Sequence, residues 1–300
     1  MNIFKRLFSQ PKPQPTIIEA AEQAAPQSET NQVDPAGLPP GLHVASLSDI
    51  GQARQQNEDS LLTLKAALQY DYGQENWGLF IVADGMGGHQ QGEIASSLAV
   101  RVAAAHIIEN NYLPYLEPAR QNSANNLPVI ELLQDAVKKA NHAVVENVPD
   151  GATTLTAALI MGNNAYLAHI GDTRAYLFKD EQLKQITQDH SLAQRLEDLG
   201  QGGPDLVNVK NVLYRAIGQD SSIEIDTYVQ HLSPNATLLL CSDGLWGAIT
   251  EQALIQTLKE ATSPREICTS LVAQANQQGG HDNITVIAIT EGKEASPSST

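Results

Sequence analysis

No run of this chain reaches the roughly 18 consecutive apolar residues needed for a membrane-spanning helix, so stable membrane insertion is not expected. Basic residues are scarce: 18 Lys and Arg stand against 34 Asp and Glu, a formal charge of −16 over 300 residues. A field of that sign repels nucleic acid and anionic lipid, and neither is an expected partner. Aromatic residues make up 5% and charged residues 17%, against a hydrophobic share of 42%. That balance excludes a coiled coil or a wholly disordered chain and points to a globular core of aliphatic side chains. Cysteine occurs only twice. Cys241 ends the run ATLLLC and Cys268 sits in a periodic apolar segment, so both read as small core residues of a protein in a reducing compartment. Neither opens a C-x5-R phosphate loop, because Gln274 stands where the arginine would follow Cys268. The start, MNIFKRLFSQPKP, carries a basic pair with no sustained apolar region after it. It reads as a tail rather than a signal peptide, and the expected location is the cytoplasm.

What the chain does contain is ordered in blocks. Residues 1–40 are rich in proline and glutamine without a long periodic face and read as a flexible extension. The last ten residues, 291–300, read as a second tail, which leaves one domain over about 41–290. Strands are predicted at LHVASLS, SLLTL and WGLFIVAD, then at TTLTAALIM, NAYLAHIGD, RAYLFK, IEIDTYVQ, ATLLLCSD and NITVIAIT. Gly162, Asn163 and Asn164 mark a hairpin between two of them. Apolar residues recur at helical spacing at Ile94, Leu98, Val102, Ala105 and Ile108, and again at Ile130, Leu133, Val137, Ala140 and Val144. Further helices are predicted over 190–199, 251–259 and 264–277, with Pro264 in a first turn. Many short strands with two helices between clusters favour an α+β fold of paired sheets covered by helices over a Rossmann alternation.

Four acid-bearing motifs carry the chemistry. In IVADGMGGHQQG an apolar strand runs to Asp84, and Gly85, Gly87 and Gly88 permit a tight turn. No GK pair followed by Ser or Thr closes that run, so it is not a phosphate loop of the Walker type. ATLLLCSDGLWG repeats the arrangement at Asp243 and Gly244. Asp282 and Asn283 immediately precede the apolar strand of HDNITVIAI, and Glu58 and Asp59 precede SLLTL, with Arg54 four residues before Glu58. One such acid is usually a cap or turn residue, but several on separate strands make a shared cleft the better reading. Brought together, Asp84, Asp243 and Asp282 would repel unless protonated or neutralised by cations. Oxygen-only ligands favour hard ions such as magnesium or manganese.

The motifs RQQNED, DGMGGH, GATTLTAAL, AHIGDTRAYL, TQDHS, NVLYRAIG, CSDGLWG and HDNITVIAI span about residues 45–290. In this order they resemble the PPM, or protein phosphatase 2C-like, family, especially its compact bacterial members. The resemblance implies a four-layer α-β-β-α sandwich of two antiparallel sheets flanked by helices. It implies hydrolysis of phosphoserine and phosphothreonine on proteins by a water activated by two Mn2+ or Mg2+ ions. Asp84 would bridge the ions, the Gly85 carbonyl would ligate one, and Asp243 and Asp282 would complete most of the coordination. Glu58 or Asp59 would act directly or through water, and Arg54 would hold the substrate phosphate through its planar donors. Asp172 in IGDTR resembles the acid of a weaker third divalent site, although the family's DGLxD reads DGLWG here and Gly247 has no side-chain oxygen. Met86 occupies a position where many eukaryotic relatives carry histidine; His89 is nearby, with a turn role as good a reading as proton donation. Residues 188–218 resemble the family's variable flap near the substrate entrance. Implied partners are phosphorylated proteins and a cognate serine/threonine kinase, with a monomer as the expected acting unit.

Overall fold

The computed structural model describes residues 41–71, 73–87, 91–117, 127–201, 209 and 212–292. The proposed N-terminal extension, His89 and most of the proposed C-terminal tail lie outside the described residues. Eleven strands are described: β1 Gly41–Asp49, β2 Asp59–Tyr70, β3 Gly73–Met86, β4 Ala152–Thr153, β5 Leu155–Met161, β6 Asn164–Ile170, β7 Arg174–Lys179, β8 Gln182–Gln185, β9 Asp226–His231, β10 Thr237–Cys241 and β11 Ile284–Gly292. They form two sheets, ordered β1-β11-β10-β7-β8 and β2-β3-β5-β6-β9, with β4 added to the end of β3. Every described strand pairing is antiparallel.

The apolar runs place these sheets face to face. On β3, Phe80 and Val82 point into one core while Trp77, Leu79, Ile81 and Ala83 point into another. On β10, Leu238 and Leu240 share the first core, whereas Leu239 and Cys241 enter a third. Successive side chains of a strand face opposite ways, so a strand buried on both faces reads as a continuous apolar run rather than an alternation. The core shared by both sheets includes Phe80, Leu167, Leu240 and Ile287. The outer face of the second sheet is covered by α1 Gln91–Ile107 and α3 Val129–Asn147. The outer face of the first is covered by α6 Glu251–Glu260 and α7 Pro264–Gln277. The result is the four-layer α-β-β-α sandwich.

Three short α-helices, α2 Leu113–Leu116, α4 Leu192–Asp198 and α5 Asp243–Trp246, and a π-helical turn, Ile108–Tyr112, complete the described set. Helix starts follow sequence chemistry. Ser191, Thr250 and Ser263 each accept a hydrogen bond from the backbone N–H three residues on, and Pro264 occupies the first turn of α7. On α1 the predicted stripe is displaced. Ile94 is half exposed, and the face packed inward runs through Ala95, Ala99 and Ala103. Alanine lets the helix axis approach the sheet closely, so the larger Leu98 and Val102 pack at the flank. The β2–β3 ladder also extends beyond the predicted strands, to the pair Tyr70↔Gly73. Its outer half is largely exposed on β2, where Leu68 and Tyr70 are half exposed, and mixes apolar with polar residues, so it carries no clean alternation. β11 continues to Gly292, opposite Gly41.

Phe80 is fully buried between the sheets. Phe80→Ala should therefore lower unfolding free energy by about 3–5 kcal/mol, with the denaturant slope unchanged. Val229, which is 59% exposed, should tolerate alanine within about 0.5 kcal/mol. Urea unfolding of both variants checks the contrast.

Candidate active site

The site lies at the end of the sandwich, where strand ends and turns of both sheets meet. Two close backbone approaches bring its acids together. A Cβ on Gly85 would stand 2.2 Å from the Gly92 carbonyl oxygen, so only glycine lets β3 run against the start of α1. A Cβ on Gly244 would stand 2.0 Å from the Asn283 carbonyl oxygen, so glycine there lets α5 abut the segment carrying Asp282. Asp243, the first residue of α5, and Asp282 consequently share one wall.

Asp84 is not the last residue of its strand, as its glycine-rich surroundings suggest. β3 continues through Gly85 and Met86, which exchange β2 and β5 for the short partner β4. The switch of partner frees the Asp84 side chain while its backbone stays pinned. Its N–H donates to Thr154 Oγ1 at 2.9 Å, and its carbonyl accepts from Thr153 Oγ1 and Thr154 N, each at 2.9 Å. Asp59 lies directly opposite Asp84 in the β2–β3 register.

Arg54, Glu58, Asp84, Gly85, Met86, Gly87, Asp172, Leu213, Asp243 and Asp282 line a cleft of about 230 Å3. Arg54 pairs with Asp282 at 2.7 Å, its side chain 47% exposed. That bond raises the guanidinium pKa further, against the opposing effect of burial. Asn283 knits the floor: its Oδ1 accepts from Glu58 N at 2.8 Å, and its Nδ2 donates to the Ile50 and Gln56 carbonyls. Glu58 reaches the cleft, whereas Asp59 lies beneath it and accepts from Ser242 Oγ at 2.8 Å.

The electrostatics are those of carboxylates held together against their preference. Burial is the largest cause in each case, and like charge adds to it. Asp59 is pushed up to about 7, with Asp243 and Asp282 adding to burial and the Thr285 and Ser242 hydroxyls opposing it. Asp84 is raised well above the usual range, first by burial, then by Asp59, Asp243 and Asp172. Asp172 is likewise raised, with Asp243 its strongest charged neighbour. Asp243 is raised by burial and by Asp282. The proximity of Asp84 and Asp243 raises Asp84 further and partly offsets the rise at Asp243. Asp59 Oδ1 and Asp243 Oδ1 are buried without a hydrogen-bond partner. Among the described residues, no three His, Cys, Asp or Glu side chains form a group able to hold one ion. The acids thus share a cleft without converging on one point.

Residues 55–281 match the family described as Protein phosphatase 2C. The chain belongs to that family. The serine/threonine phosphatase stp of Listeria monocytogenes serotype 4b is 34% identical over 257 residues, covering 83% of this chain and 95% of the relative. The crystal structure of the Mycobacterium tuberculosis serine/threonine phosphatase PstP superimposes with a TM-score of 0.68 at 31% identity, covering 84% of this chain and 99% of that one. The PstP catalytic domain solved in complex with two manganese ions gives 0.67 at 32% identity, with the same two coverages of 84% and 99%.

Every acid singled out from the motifs of this protein phosphatase 2C chain is at the cleft or directly beneath it. Arg54 is there too, although paired with Asp282 rather than with Glu58, the partner its sequence spacing offers. Sequence reasoning missed the supporting hydroxyls. Ser242 stands one residue before Asp243, and Thr153 and Thr154 lie in GATTL; both signals are visible in the motifs, but neither names a partner. Leu213 lines the cleft from the flap, while residues 202–208 of that segment are not described.

The raised carboxyls have a pH consequence. The folded state holds protons that the unfolded chain releases, so their contribution to stability is lost as pH rises from about 4 toward the folded value of about 7 at Asp59. With a chelator in the buffer, Asp59→Asn should raise Tm at pH 8 and change it less at pH 5. A larger gain at pH 5 would contradict these assignments.

Proposed function

We propose that the chain hydrolyses phosphoserine and phosphothreonine on proteins, with divalent cations held by the acidic cleft. The observation that carries this reading is that Glu58, Asp84, Asp172, Asp243 and Asp282, from separate segments, line one cleft together with Arg54. Family membership and relatives named as serine/threonine phosphatases support it.

The donor set suits hard cations. It is all oxygen, it is over-rich in negative charge, and two of its buried carboxylate oxygens lack hydrogen-bond partners. Two Mn2+ or Mg2+ ions would be held by Asp84, the Gly85 carbonyl, Asp243 and Asp282. Glu58 reaches the same space and Asp59 supports it from below. Asp172, beside Asp243, would serve a third, weaker ion, since Gly247 offers no side-chain oxygen. Bound there, such cations supply Lewis acidity to phosphoryl oxygens and lower the pKa of an attacking water.

The chain's own residues do the rest. Arg54 presents a planar array of donors at the mouth, suited to two phosphoryl oxygens at once. Asp282 holds that guanidinium at 2.7 Å, which limits its freedom before substrate arrives. Asn283 and Ser242 fix the backbone and carboxylates from below, so little reorganisation accompanies the reaction. Met86 has no proton to give to the leaving serine or threonine oxygen. A protein substrate implies a serine/threonine kinase as its supplier. The acting unit is taken as a monomer whose catalytic domain spans about 41–290. No helix of the described residues is long and apolar enough to cross a membrane, and the free buried cysteines Cys241 and Cys268 suit the cytoplasm.

Phosphate release from phosphothreonine peptides should require Mn2+ or Mg2+ and stop with chelator. Asp84→Asn should lower kcat more than about a hundredfold, beyond the loss usual for groups that merely support a metal ligand. Arg54→Ala should raise KM roughly ten- to a hundredfold, the value of a charge-assisted hydrogen bond. Metal-independent turnover would sink the reading; faster turnover of small phosphate esters than of any phosphopeptide would move the substrate class away from proteins.

A further inference from the structure

Trp246 ends α5, three residues after Asp243, and is one of only two tryptophans in the chain. Its indole N–H donates to the Asp172 backbone carbonyl at 3.0 Å. The Arg174 guanidinium lies 3.6 Å from the centroid of the same ring. Arg174 is itself forked onto Asp189, from Nε to Oδ1 at 3.0 Å and from the terminal nitrogen to Oδ2 at 2.7 Å. The Asp189 side chain is only 4% exposed. Trp246 also packs against the core beneath the first sheet and lines two cavities of about 200 and 210 Å3, so the hydrogen bond and the cation stack add direction to that packing.

Asp172 sits in the turn between β6 and β7, where the chain crosses from one sheet to the other. The preceding residue is also tied: Gly171 N–H donates to His190 Nδ1 at 3.1 Å, and its carbonyl accepts from His190 N at 2.7 Å. With Gly171 held from one side and the Asp172 carbonyl held by Trp246 from the other, the Asp172 carboxyl is directed into the cleft. Its neighbour there is Asp243, from the same short helix as Trp246. Two like charges push apart, and α5 is anchored to that turn by the indole bond.

We infer that Trp246 is a positioning residue, a strut from α5 to the β6–β7 turn that sets the separation of the Asp172 and Asp243 carboxylates and thereby the affinity for a divalent cation held between them. This rests on the metal-binding reading of the cleft. The strut matters more in this chain because Gly247 supplies no acid to help, so the geometry of that cation falls to Asp172 and Asp243.

The test is Mn2+ binding followed by the electron paramagnetic resonance of free Mn2+, on wild type and Trp246→Phe. Phenylalanine keeps a ring beneath Arg174 and deletes the donor. One class of site should weaken roughly three- to tenfold, the worth of one neutral hydrogen bond, while tighter binding is unchanged. In assays, kcat should fall at limiting Mn2+ and recover at excess, with peptide KM unmoved; a merely structural loss would not be rescued by metal. A second readout needs no variant. Trp77 packs in the core beneath α1 and α3, so Mg2+ titration of the wild type should change the emission of Trp246. Identical Mn2+ isotherms for the two proteins, or wild-type emission unmoved by Mg2+ at concentrations that support turnover, would overturn the strut alone. A wild type that binds no Mn2+ would overturn the reading of the cleft and the strut with it.

Discussion

Carboxylates repel, and a fold that buries several of them in one cleft must hold them by other means. In this chain those means are backbone hydrogen bonds, hydroxyl donors and two glycine contacts, none of which depends on the acids being neutral. Thr153 and Thr154 fix Asp84, Ser242 holds Asp59, and Gly244 lets α5 and the Asp282 segment touch. Asp59, Asp84, Asp172 and Asp243 are raised above the ordinary carboxylate range chiefly by burial. Burying these acids costs free energy, and the three apolar cores around the sheets offset it.

The sandwich explains why these acids meet although they are far apart in sequence. Both sheets end near the same edge, so turns and strand ends from β2, β3, β6, β10 and β11 open onto one space. Sheet-to-sheet packing through Phe80, Leu167, Leu240 and Ile287 fixes the distance between the two halves of the cleft. Arg54 then balances part of the charge at the mouth, where it is exposed enough to meet an anionic substrate. A phosphorylated side chain brings further negative charge to a site that already has an excess. Hard cations reconcile the two, which is why the chemistry of metal-dependent phosphate hydrolysis fits this geometry.

Much of this is legible in the residues. Asp84 and Asp243 stand at the ends of strong apolar runs beside glycine, and Asp282 precedes another such run. The reading of paired sheets covered by helices also follows, because the middles of β10 and β11, residues 238–241 and 286–289, are continuous apolar runs buried on both faces. Other features leave no local trace. Nothing in DGLW names a carbonyl 74 residues away as the partner of Trp246. The true inner face of α1 is made of alanines, whose small side chains give a weaker periodic signal than Ile94 and Leu98 beside them. The outer half of the β2–β3 hairpin leaves Leu68 and Tyr70 half exposed, so it extends through pairing register rather than through a buried face.

The central claim is that the fold gathers these acids to hold a pair of hard cations. The direct measurement is an anomalous difference map from crystals grown with Mn2+. The account predicts two peaks about 3.5–4 Å apart, flanking the Asp84 carboxylate and within reach of Asp243, Asp282 and the Gly85 carbonyl. A map with no peak in that cleft, or with manganese bound only elsewhere on the acidic surface, would contradict it.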